Sequence, residues 1–298
     1  MKTECNPFVS VVIPTYNHAE YLHRALLSVF NQTYVNWEVI VVDNHSTDKT
    51  EEVISSFNDP RLLYLKIHNN GVIAASRNAA IQIAKGEWVA FLDSDDWWAS
   101  NKLQTCIDRV GDNIDFIYHD LKIVRERTGL CVSAVNKSWQ LSAPVLIDLL
   151  VRGNAISTSS AFVRTFLLRQ IGGMDQRREM IAAEDYNTWL RIAQFTDHFK
   201  YIPYALGYYQ VHSQSVSSIK DMSVPARFAA EAFVSRLDSY QKKRFEGNLS
   251  YTRGRYNYRA RNYKAATNDI INAFKYGRHT LKPKLIWMFI MIVVFRRK

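Results

Sequence analysis

Residues 9–17, VSVVIPTYN, combine an apolar run with a polar group directly behind it. The same arrangement returns three times within the first hundred residues, where further apolar runs lie at residues 38–43, 62–67 and 88–93. Short apolar runs of this kind are typical of strands that are buried on both faces of a parallel sheet. The sequence therefore predicts four parallel strands in its N-terminal part.

Helical patterns separate these predicted strands. Apolar side chains recur at helical spacing between residues 21 and 30, Asp48 and Glu51 match a capping box that would open a second helix, and a third helix is expected over residues 73–85. An alternation of strands and helices implies right-handed crossovers and a sheet covered by helices. The remaining elements are expected as strands at residues 116–124 and 159–163, as a helix at 184–194, and as helices alone beyond Pro225. We therefore predict an α/β fold with a mixed sheet covered by helices, followed by an α-helical C-terminal region.

A polar group follows each of the four predicted strands. PTYN follows the first run, DNHSTD the second, HNNG the third and DSDD the fourth. Ligands of open α/β sheets bind at the carboxyl ends of the strands. We therefore expect these four loops to meet in one crevice.

The DSDD group, residues 93–96, places three carboxylates at the end of one apolar strand. Like charges at this spacing are unfavourable unless a cation compensates them. Oxygen ligands favour a hard divalent cation such as Mg²⁺ or Mn²⁺. The residues alone leave an alternative, in which Asp95 and Asp96 cap a helix that begins near Trp97.

Five segments in a fixed order resemble a known family. PTYN, VVDNHSTDKT, NNGVIAASRN, FLDSDD and AAEDYNTWLR together look like the inverting family 2 glycosyltransferases, which have the GT-A nucleotide-sugar fold. The resemblance extends over residues 9–217. It implies transfer of a sugar from a nucleotide diphosphate donor, with UDP favoured, to an acceptor hydroxyl. An enzyme at a membrane surface with a cytosolic donor would fit acceptors carried on lipids, as in the synthesis of bacterial cell-surface polysaccharide or glycolipid.

The resemblance also implies which residues bind the nucleotide sugar. The segment from Pro14 to Tyr16 would lie against the base, and Asp43 would accept a hydrogen bond from it, since a carboxylate offers only acceptors. The alternative for Asp43 is a turn residue. Asn44 stands where many relatives have a second Asp. The expected donor-binding residues are Pro14, Thr15, Tyr16, Asn17, Asp43, Asn70, Gly71, Arg77, Asp93 and Ser94.

The cation and the base follow from the same resemblance. Asp95 would ligate the metal, with His212 as a candidate second ligand, although Gln210 stands where relatives often have Arg. Asp185 would be the general base, because an attacking hydroxyl must lose its proton. Glu184 would orient the acceptor or the base. Trp189 is a candidate platform for the acceptor sugar, with a place in the core as the alternative.

The C-terminal tail carries most of the basic charge. Residues 241–298 hold 15 Lys and Arg against two acids, so this segment carries +13 and the rest of the chain −3. The apolar run 285–295 would form a helix of about 16 Å, too short for a bilayer core of about 30 Å. A helix over 281–298 that lies on an anionic membrane surface is expected. A packing helix and an oligomer contact are the alternatives.

These patterns predict a catalytic domain at residues 1–220 and a basic helical region at 221–298. The N-terminus has no basic stretch and no cleavage site of a secretory signal, so the enzyme is expected in the cytoplasm, peripheral on the inner face of the membrane. No G-x-G-x-x-G or P-loop follows the first strand, which argues against dehydrogenases and P-loop enzymes. A non-catalytic nucleotide-sugar-binding relative remains the rival hypothesis, and no nucleic-acid partner is expected.

Overall fold

The computed structural model describes residues 6–125, 134–212 and 220–295. Within these residues, nine strands form one sheet. They are β1 Val9–Thr15, β2 Trp37–Asp43, β3 Leu62–Lys66, β4 Trp88–Phe91, β5 Trp97–Trp98, β6 Phe116–Arg125, β7 Val135–Asn136, β8 Phe162–Arg164 and β9 Phe199–Val211.

The sheet is mixed, as predicted. Its strand order is β3-β2-β1-β4-β8-β6-β9-β5, and β7 pairs with Leu121 and Lys122 of β6. The first four strands pair in parallel, whereas β8 is antiparallel to both β4 and β6. The residues of β1, β2 and β4 are all buried, as expected for continuous apolar strands covered on both faces.

Helices alternate with the strands and continue alone at the C-terminus. They are α1 Ala19–Phe30, α2 Thr50–Ser56, α3 Ile73–Ile83, α4 Lys102–Ile107, α5 Val145–Arg152, α6 Thr165–Gln170, α7 Glu184–Ile192, α8 Ser223–Ala230, α9 Ser239–Arg259, α10 Tyr263–Tyr276 and α11 Lys282–Phe295. The predicted alternation and the helical C-terminal region are therefore confirmed.

The parallel register aligns the loops that carry the polar groups. Thr15 at the end of β1 pairs with Asp43 at the end of β2, and Asp43 pairs with Lys66 at the end of β3. Because parallel strands end at the same edge of the sheet, the polar groups behind β1, β2 and β3 lie side by side.

The residues after DSDD do not begin a helix. Trp97–Trp98 form the short strand β5, which pairs with β9, and α4 begins only at Lys102. The alternative in which Asp95 and Asp96 cap a helix near Trp97 is therefore wrong. The physical reason is that the backbone of Trp97 and Trp98 is hydrogen-bonded into the sheet.

The chain divides into two compact units. The first comprises Met1–Leu141, Ile156–Arg178 and Phe195–His212, and contains the whole sheet. The second comprises Ser142–Ala155, Glu179–Gln194 and Ser213–Lys298. These units interleave along the chain, whereas the predicted boundary at residue 220 is a single cut. That boundary stays a prediction.

The second unit ends in a helical hairpin and a further helix. α9 and α10 approach closely at Gly254, where an added Cβ would lie 3.0 Å from the Cβ of Asp269. α11 packs Leu285, Met288 and Ile292 against Ala266, Ile270 and Ala273 of α10. Among the helices that the structure describes, none has the length and apolarity that a membrane crossing requires.

One lysine is buried inside the first unit. Lys102 is fully buried, and its Nζ lies 3.9 Å from the ring centroid of Trp98 and 5.2 Å from that of Phe162. Within residues 6–125, 134–212 and 220–295, Nζ has no hydrogen-bond partner. Burial lowers the pKa of Lys102 to about 8, because water no longer solvates the ammonium ion.

The depressed pKa of Lys102 predicts how stability depends on pH. Between pH 8 and 10.5 the unfolded state binds more protons at this position than the folded state, so stability rises with pH. Relative to a Lys102→Met variant, the free energy of unfolding of the wild type is expected to rise by at most about 3 kcal/mol between pH 8 and 10.5. Urea unfolding of both proteins from pH 7.5 to 10 measures the difference. A constant difference would show that Lys102 titrates as an exposed lysine does.

Candidate active site

The loops that follow β1 and β2 are hydrogen-bonded to each other. Asn17, with a left-handed backbone (φ 50°), accepts a hydrogen bond from Thr47 N through Oδ1 at 2.8 Å. Its own N–H donates to Ser46 Oγ at 2.8 Å. Pro14 and Thr15 are buried, whereas the Tyr16 side chain is 52% exposed. Tyr16 therefore offers the aromatic surface of this loop, while Asn17 fixes the loop in place.

Asp43 is buried and holds the loop behind β2. Its Oδ1 accepts hydrogen bonds from Ser46 N at 3.0 Å and Ser46 Oγ at 2.5 Å, and its Oδ2 accepts one from the Tyr64 hydroxyl at 2.9 Å. A carboxylate has about four acceptor sites, so these three bonds leave capacity for a further donor. The structure thus gives Asp43 the role of a turn residue, and its contact with the base stays a prediction.

The loop behind β3 is built around a buried asparagine. Asn69 donates from its backbone N to Asn44 Oδ1 at 2.9 Å, and its own Oδ1 accepts from Gly71 N at 2.9 Å. Gly71 has φ 77°, and an added Cβ would meet no atom within 4 Å. The left-handed backbone explains the glycine, and the open space beside it is consistent with a closely approaching ligand. Asn70 is exposed and also left-handed, with φ 52°.

The four residues of the DSDD turn are held by three other segments of the first unit. Arg77 from α3 donates to Asp93 Oδ1 at 2.7 Å. Ser94 Oγ lies 2.9 Å from His18 Nδ1, ahead of α1. Asp95 Oδ2 lies 2.9 Å from Nε2 of His212, the residue after β9, and Asp96 Oδ1 accepts from Gln210 N at 2.9 Å. The turn is therefore the point at which four parts of the chain meet.

The Arg77 side chain forms an ion pair within the protein. Its side chain is 3% exposed and paired with Asp93. A guanidinium carries five donors in a planar fork, so one ion pair does not exhaust it. Contact between Arg77 and a donor diphosphate stays a prediction.

The two expected metal ligands lie next to each other. Asp95 and His212 are 2.9 Å apart, and both side chains are mostly buried, with 23% and 7% exposed. In the chain ranges that the structure describes, no group of three His, Cys, Asp or Glu side chains converges as a metal site would. Mg²⁺ is commonly bound by one or two carboxylates together with substrate phosphates and water. Asp95 fits such a partial site as the carboxylate, and His212 lies beside it.

The charges of the turn also fit a cation. Burial raises the pKa of Asp95, and the charge of Asp93 raises it further, against the hydrogen bond from His212. Burial raises the pKa of Asp96 well above its usual range, and the charges of Asp95 and Asp93 add to this. The negative charge is therefore only partly compensated by protein groups, and a divalent cation would favour the ionised carboxylates.

The sequence motifs do not identify three further residues of this site. His18 directly precedes α1, Tyr21 and Arg24 lie on it, and each contacts the turn or His212. Tyr21 stacks on His212 with ring centroids 5.4 Å apart, and Arg24 donates to the Asp95 carbonyl at 3.0 Å. Their three-residue spacing beside the buried Leu22, Ala25, Leu26 and Val29 is the signal that the sequence offers.

The expected base lies in the second unit. Asp185 begins α7 with Glu184, and its Oδ2 accepts a hydrogen bond from Asn154 at 3.3 Å. Glu184 Oε2 accepts from the backbone N of Ala182 at 2.8 Å, and Ala182 has a left-handed φ of 76°. Glu184 therefore stabilises the turn that precedes Asp185, while Asp185 remains partly exposed.

The structure contradicts the sugar-platform role expected for Trp189. Its side chain is fully buried, so no face of the indole is open to an acceptor. The reason is that the residue lies in the apolar stripe of α7 with the buried Tyr186, Leu190 and Ile192. The alternative, a place in the core, is what the structure supports.

Comparisons with known proteins identify the family of the chain. A family model described as Glycosyl transferase family 2 matches residues 10–156. Over 213 residues the chain is 30% identical to the UDP-Glc:alpha-D-GlcNAc-diphosphoundecaprenol beta-1,3-glucosyltransferase WfaP of Escherichia coli. That alignment covers 71% of this chain and 80% of WfaP.

Solved structures show the same fold. TarS 1-349 of S. aureus in complex with UDP superposes with a TM-score of 0.60 at 20% identity, covering 94% of this chain and 86% of that chain. The mannosyltransferase PcManGT of Pyrobaculum calidifontis, crystallised with GDP-Man and Mn²⁺, gives a TM-score of 0.62 at 17% identity, covering 96% and 81%. These likenesses confirm the expected GT-A type fold.

Proposed function

The chain belongs to glycosyl transferase family 2, and we propose that it transfers a sugar from a UDP-sugar to an acceptor hydroxyl with inversion at the anomeric carbon. The observation that carries this proposal is the DSDD turn, in which Asp95 lies 2.9 Å from His212 while Asp93 is paired with Arg77. The turn follows β4, beside the loops that end β1 and β2. Carboxylate, imidazole and guanidinium groups together suit a diphosphate and its cation.

The donor would bind to the first unit. Tyr16 and the Asp43 loop would receive the base, and Gly71 would let the backbone approach the ligand. Asp93 and Ser94 would contact the donor, and Arg77 would bind phosphate oxygens. UDP is favoured by the resemblance of the motifs, by the UDP-Glc for which WfaP is named and by the UDP bound to TarS.

Asp95 and His212 would hold Mg²⁺ or Mn²⁺. Bound there, the cation would offset the negative charge that develops on the departing diphosphate. Arg77 would add a second positive charge on the protein side.

The reaction is a direct displacement with one base. Asp185 takes the proton of the acceptor hydroxyl, and the hydroxyl oxygen forms a bond to the anomeric carbon from the side opposite the diphosphate. The bond between the anomeric carbon and the diphosphate oxygen breaks, and its electron pair leaves with UDP. A single displacement inverts the configuration. Glu184 supports this step by fixing the turn ahead of Asp185.

A lipid-linked saccharide is the acceptor that we propose. WfaP is named for transfer to a GlcNAc-diphosphoundecaprenol, and other similar proteins are named for colanic acid and teichuronic acid biosynthesis. By analogy, this chain would act in the synthesis of bacterial cell-surface polysaccharide or glycolipid. The identity of the sugar is left to experiment.

Release of nucleotide diphosphate tests the proposed function. The purified protein is incubated with UDP-, GDP- and dTDP-sugars and Mn²⁺ or Mg²⁺, with and without EDTA. We expect slow, cation-dependent release of UDP from one donor even without the acceptor. Tight nucleotide binding with no turnover of any donor, in the presence of a lipid-linked acceptor, would instead favour the non-catalytic relative.

A peripheral position on the inner face of the cell membrane is also proposed, through α11. This helix of 14 residues would be about 21 Å long, shorter than a bilayer core. While one stripe packs on α10, its exposed apolar side chains are Ile286, Trp287, Phe289, Ile290, Val293 and Val294. In the sequence, no acid follows Asp269, whereas seven Lys and Arg do. Arg296–Lys298, part of the expected helix, lie outside the described residues.

Packing and membrane contact are thus compatible in one helix, since they use different faces of it. We expect an Ile286→Asp, Ile290→Asp double variant to sediment less with vesicles that contain phosphatidylglycerol, because the charges oppose burial in the interface. A Phe195→Asp variant, at an exposed apolar residue outside this tail, is the control. Equal sedimentation of all three proteins would exclude α11 as the membrane contact.

A further inference from the structure

His18 lies beside the expected cation site but belongs to none of the family motifs used above. It precedes α1, its Nδ1 lies 2.9 Å from Ser94 Oγ, and its ring centroid lies 6.0 Å from that of His212. Tyr21 contacts both imidazoles, with centroids 5.6 Å from His18 and 5.4 Å from His212. His18 is therefore part of the cluster around Asp95, at a fixed orientation.

The contact with Ser94 determines what the other ring nitrogen can do. When the Ser94 hydroxyl donates to Nδ1, the ring hydrogen of a neutral imidazole is on Nε2. Nε2 is then a hydrogen-bond donor, and in the described part of the chain no acceptor is bonded to it. The ring itself is partly exposed, so a ligand can reach it.

The surroundings favour an anion as the partner of Nε2. A cation on Asp95 and His212 would take diphosphate oxygens as further ligands. Such oxygens would lie close to His18, whose ring is next to that of His212. His18 is also the residue before the first turn of α1, a helix of 12 residues, where the dipole favours negative charge. The diphosphate of the nucleotide sugar is the ligand that combines these requirements.

We propose that His18 donates a hydrogen bond from Nε2 to the donor diphosphate and so binds the leaving group. This inference rests on the proposed function, because the diphosphate is that of the donor. Ser94 is then a positioning residue, which fixes the tautomer and the ring orientation of His18. The competing explanation is that His18 only clamps the DSDD turn through Ser94.

Binding of UDP and of uridine separates the two explanations. Both ligands share the base and the ribose, but only UDP has the diphosphate. At saturating Mg²⁺, UDP affinity is measured by calorimetry and uridine affinity by ligand-observed NMR. We expect His18→Ala to weaken UDP binding about 10- to 100-fold, the scale of a hydrogen bond to a charged group. Uridine binding should stay within about twofold.

Three further variants make the test sharper. His18→Gln keeps an N–H donor and should recover part of the UDP affinity. Ser94→Ala removes the anchor of the ring and should weaken UDP more than uridine. His23→Ala, a histidine on α1 that contacts Phe57 instead, should leave both affinities unchanged. Thermal unfolding of each variant controls for loss of the fold.

The binding measurements separate a failure of this inference from a failure of the proposed function. If His18→Ala weakens UDP and uridine equally, or weakens neither, the inference is overturned while UDP binding by the wild type still stands. If the wild type binds no nucleotide, the proposed function fails and the inference fails with it.

Discussion

In the Asp185→Asn variant, kcat is expected to fall by roughly 10²- to 10⁴-fold, the scale of losing a general base. Asn has nearly the shape of Asp but cannot take the proton of an acceptor hydroxyl. The binding of UDP should be unaffected, because the proposed donor site is formed by the first unit. Initial rates with a saturating UDP-sugar and acceptor, together with UDP affinity, measure both effects.

Glu184→Gln is the matched control for this prediction. The two acids are adjacent at the start of α7, but Glu184 accepts the N–H of Ala182, and a Gln oxygen can accept it too. We expect kcat to fall by about tenfold or less, on the scale of a neutral in place of a charge-assisted hydrogen bond. If Glu184→Gln abolished turnover and Asp185→Asn did not, the roles of the two carboxylates would have to be exchanged.

In the Asp95→Ala variant, transfer is expected to fall by roughly 10²- to 10³-fold or more, comparable to losing one group that stabilises developing charge. Asp95 is the carboxylate that lies against His212, so its removal leaves the proposed cation site with an imidazole alone. Raising the Mn²⁺ concentration should not restore the wild-type rate. Rates as a function of Mn²⁺, for the wild type and the variant, provide the measurement.

The control for Asp95 is an acid of the same unit that is remote from the turn. Asp59 forms a partly buried ion pair with Arg61, and Asp59→Ala should leave the Mn²⁺ dependence unchanged. EDTA should abolish transfer by the wild type. If transfer persisted in EDTA and in the Asp95→Ala variant, the proposed role of the cation would be wrong.

Most of the parallel sheet could be predicted from the sequence because its strands are continuous apolar runs. The observed β1 begins at Val9, where the apolar run begins, and β2 and β3 begin and end within a residue of the predicted limits. The third predicted helix also began where α3 begins, at Ile73. A strand that is buried on both faces is apolar throughout, so it can be recognised without knowing which strand it pairs with.

β9 could not be predicted in the same way. This strand of 13 residues contains Pro203, and proline in a strand interior argues against a strand. In the structure, His119 pairs with Ile202 and Asp120 with Ala205, so Pro203 and Tyr204 lie in an irregularity of the ladder. Only the pairing with β6 shows that proline is tolerated there.

Only part of the candidate site can be predicted from the sequence, for a related reason. Residues such as Asp93, Asp95 and His212 can be proposed from the sequence because their types and order resemble a family. His18 and Arg24 were not, because a histidine before a helix and an arginine on it have many ordinary roles. Their contacts with Ser94 and with the Asp95 carbonyl join residues more than 70 positions apart, which no local pattern reveals.

The anomeric configuration of the product distinguishes a single displacement at the anomeric carbon from any reaction that retains the configuration. The protein, Mn²⁺, an α-configured UDP-sugar and a synthetic saccharide-diphosphate-lipid acceptor are combined, and the new linkage is examined by NMR. Direct displacement with Asp185 as the only base predicts a β-linked product from the α-configured donor. An α-linked product would contradict a single displacement, and with it the roles proposed here for Asp185 and the leaving diphosphate.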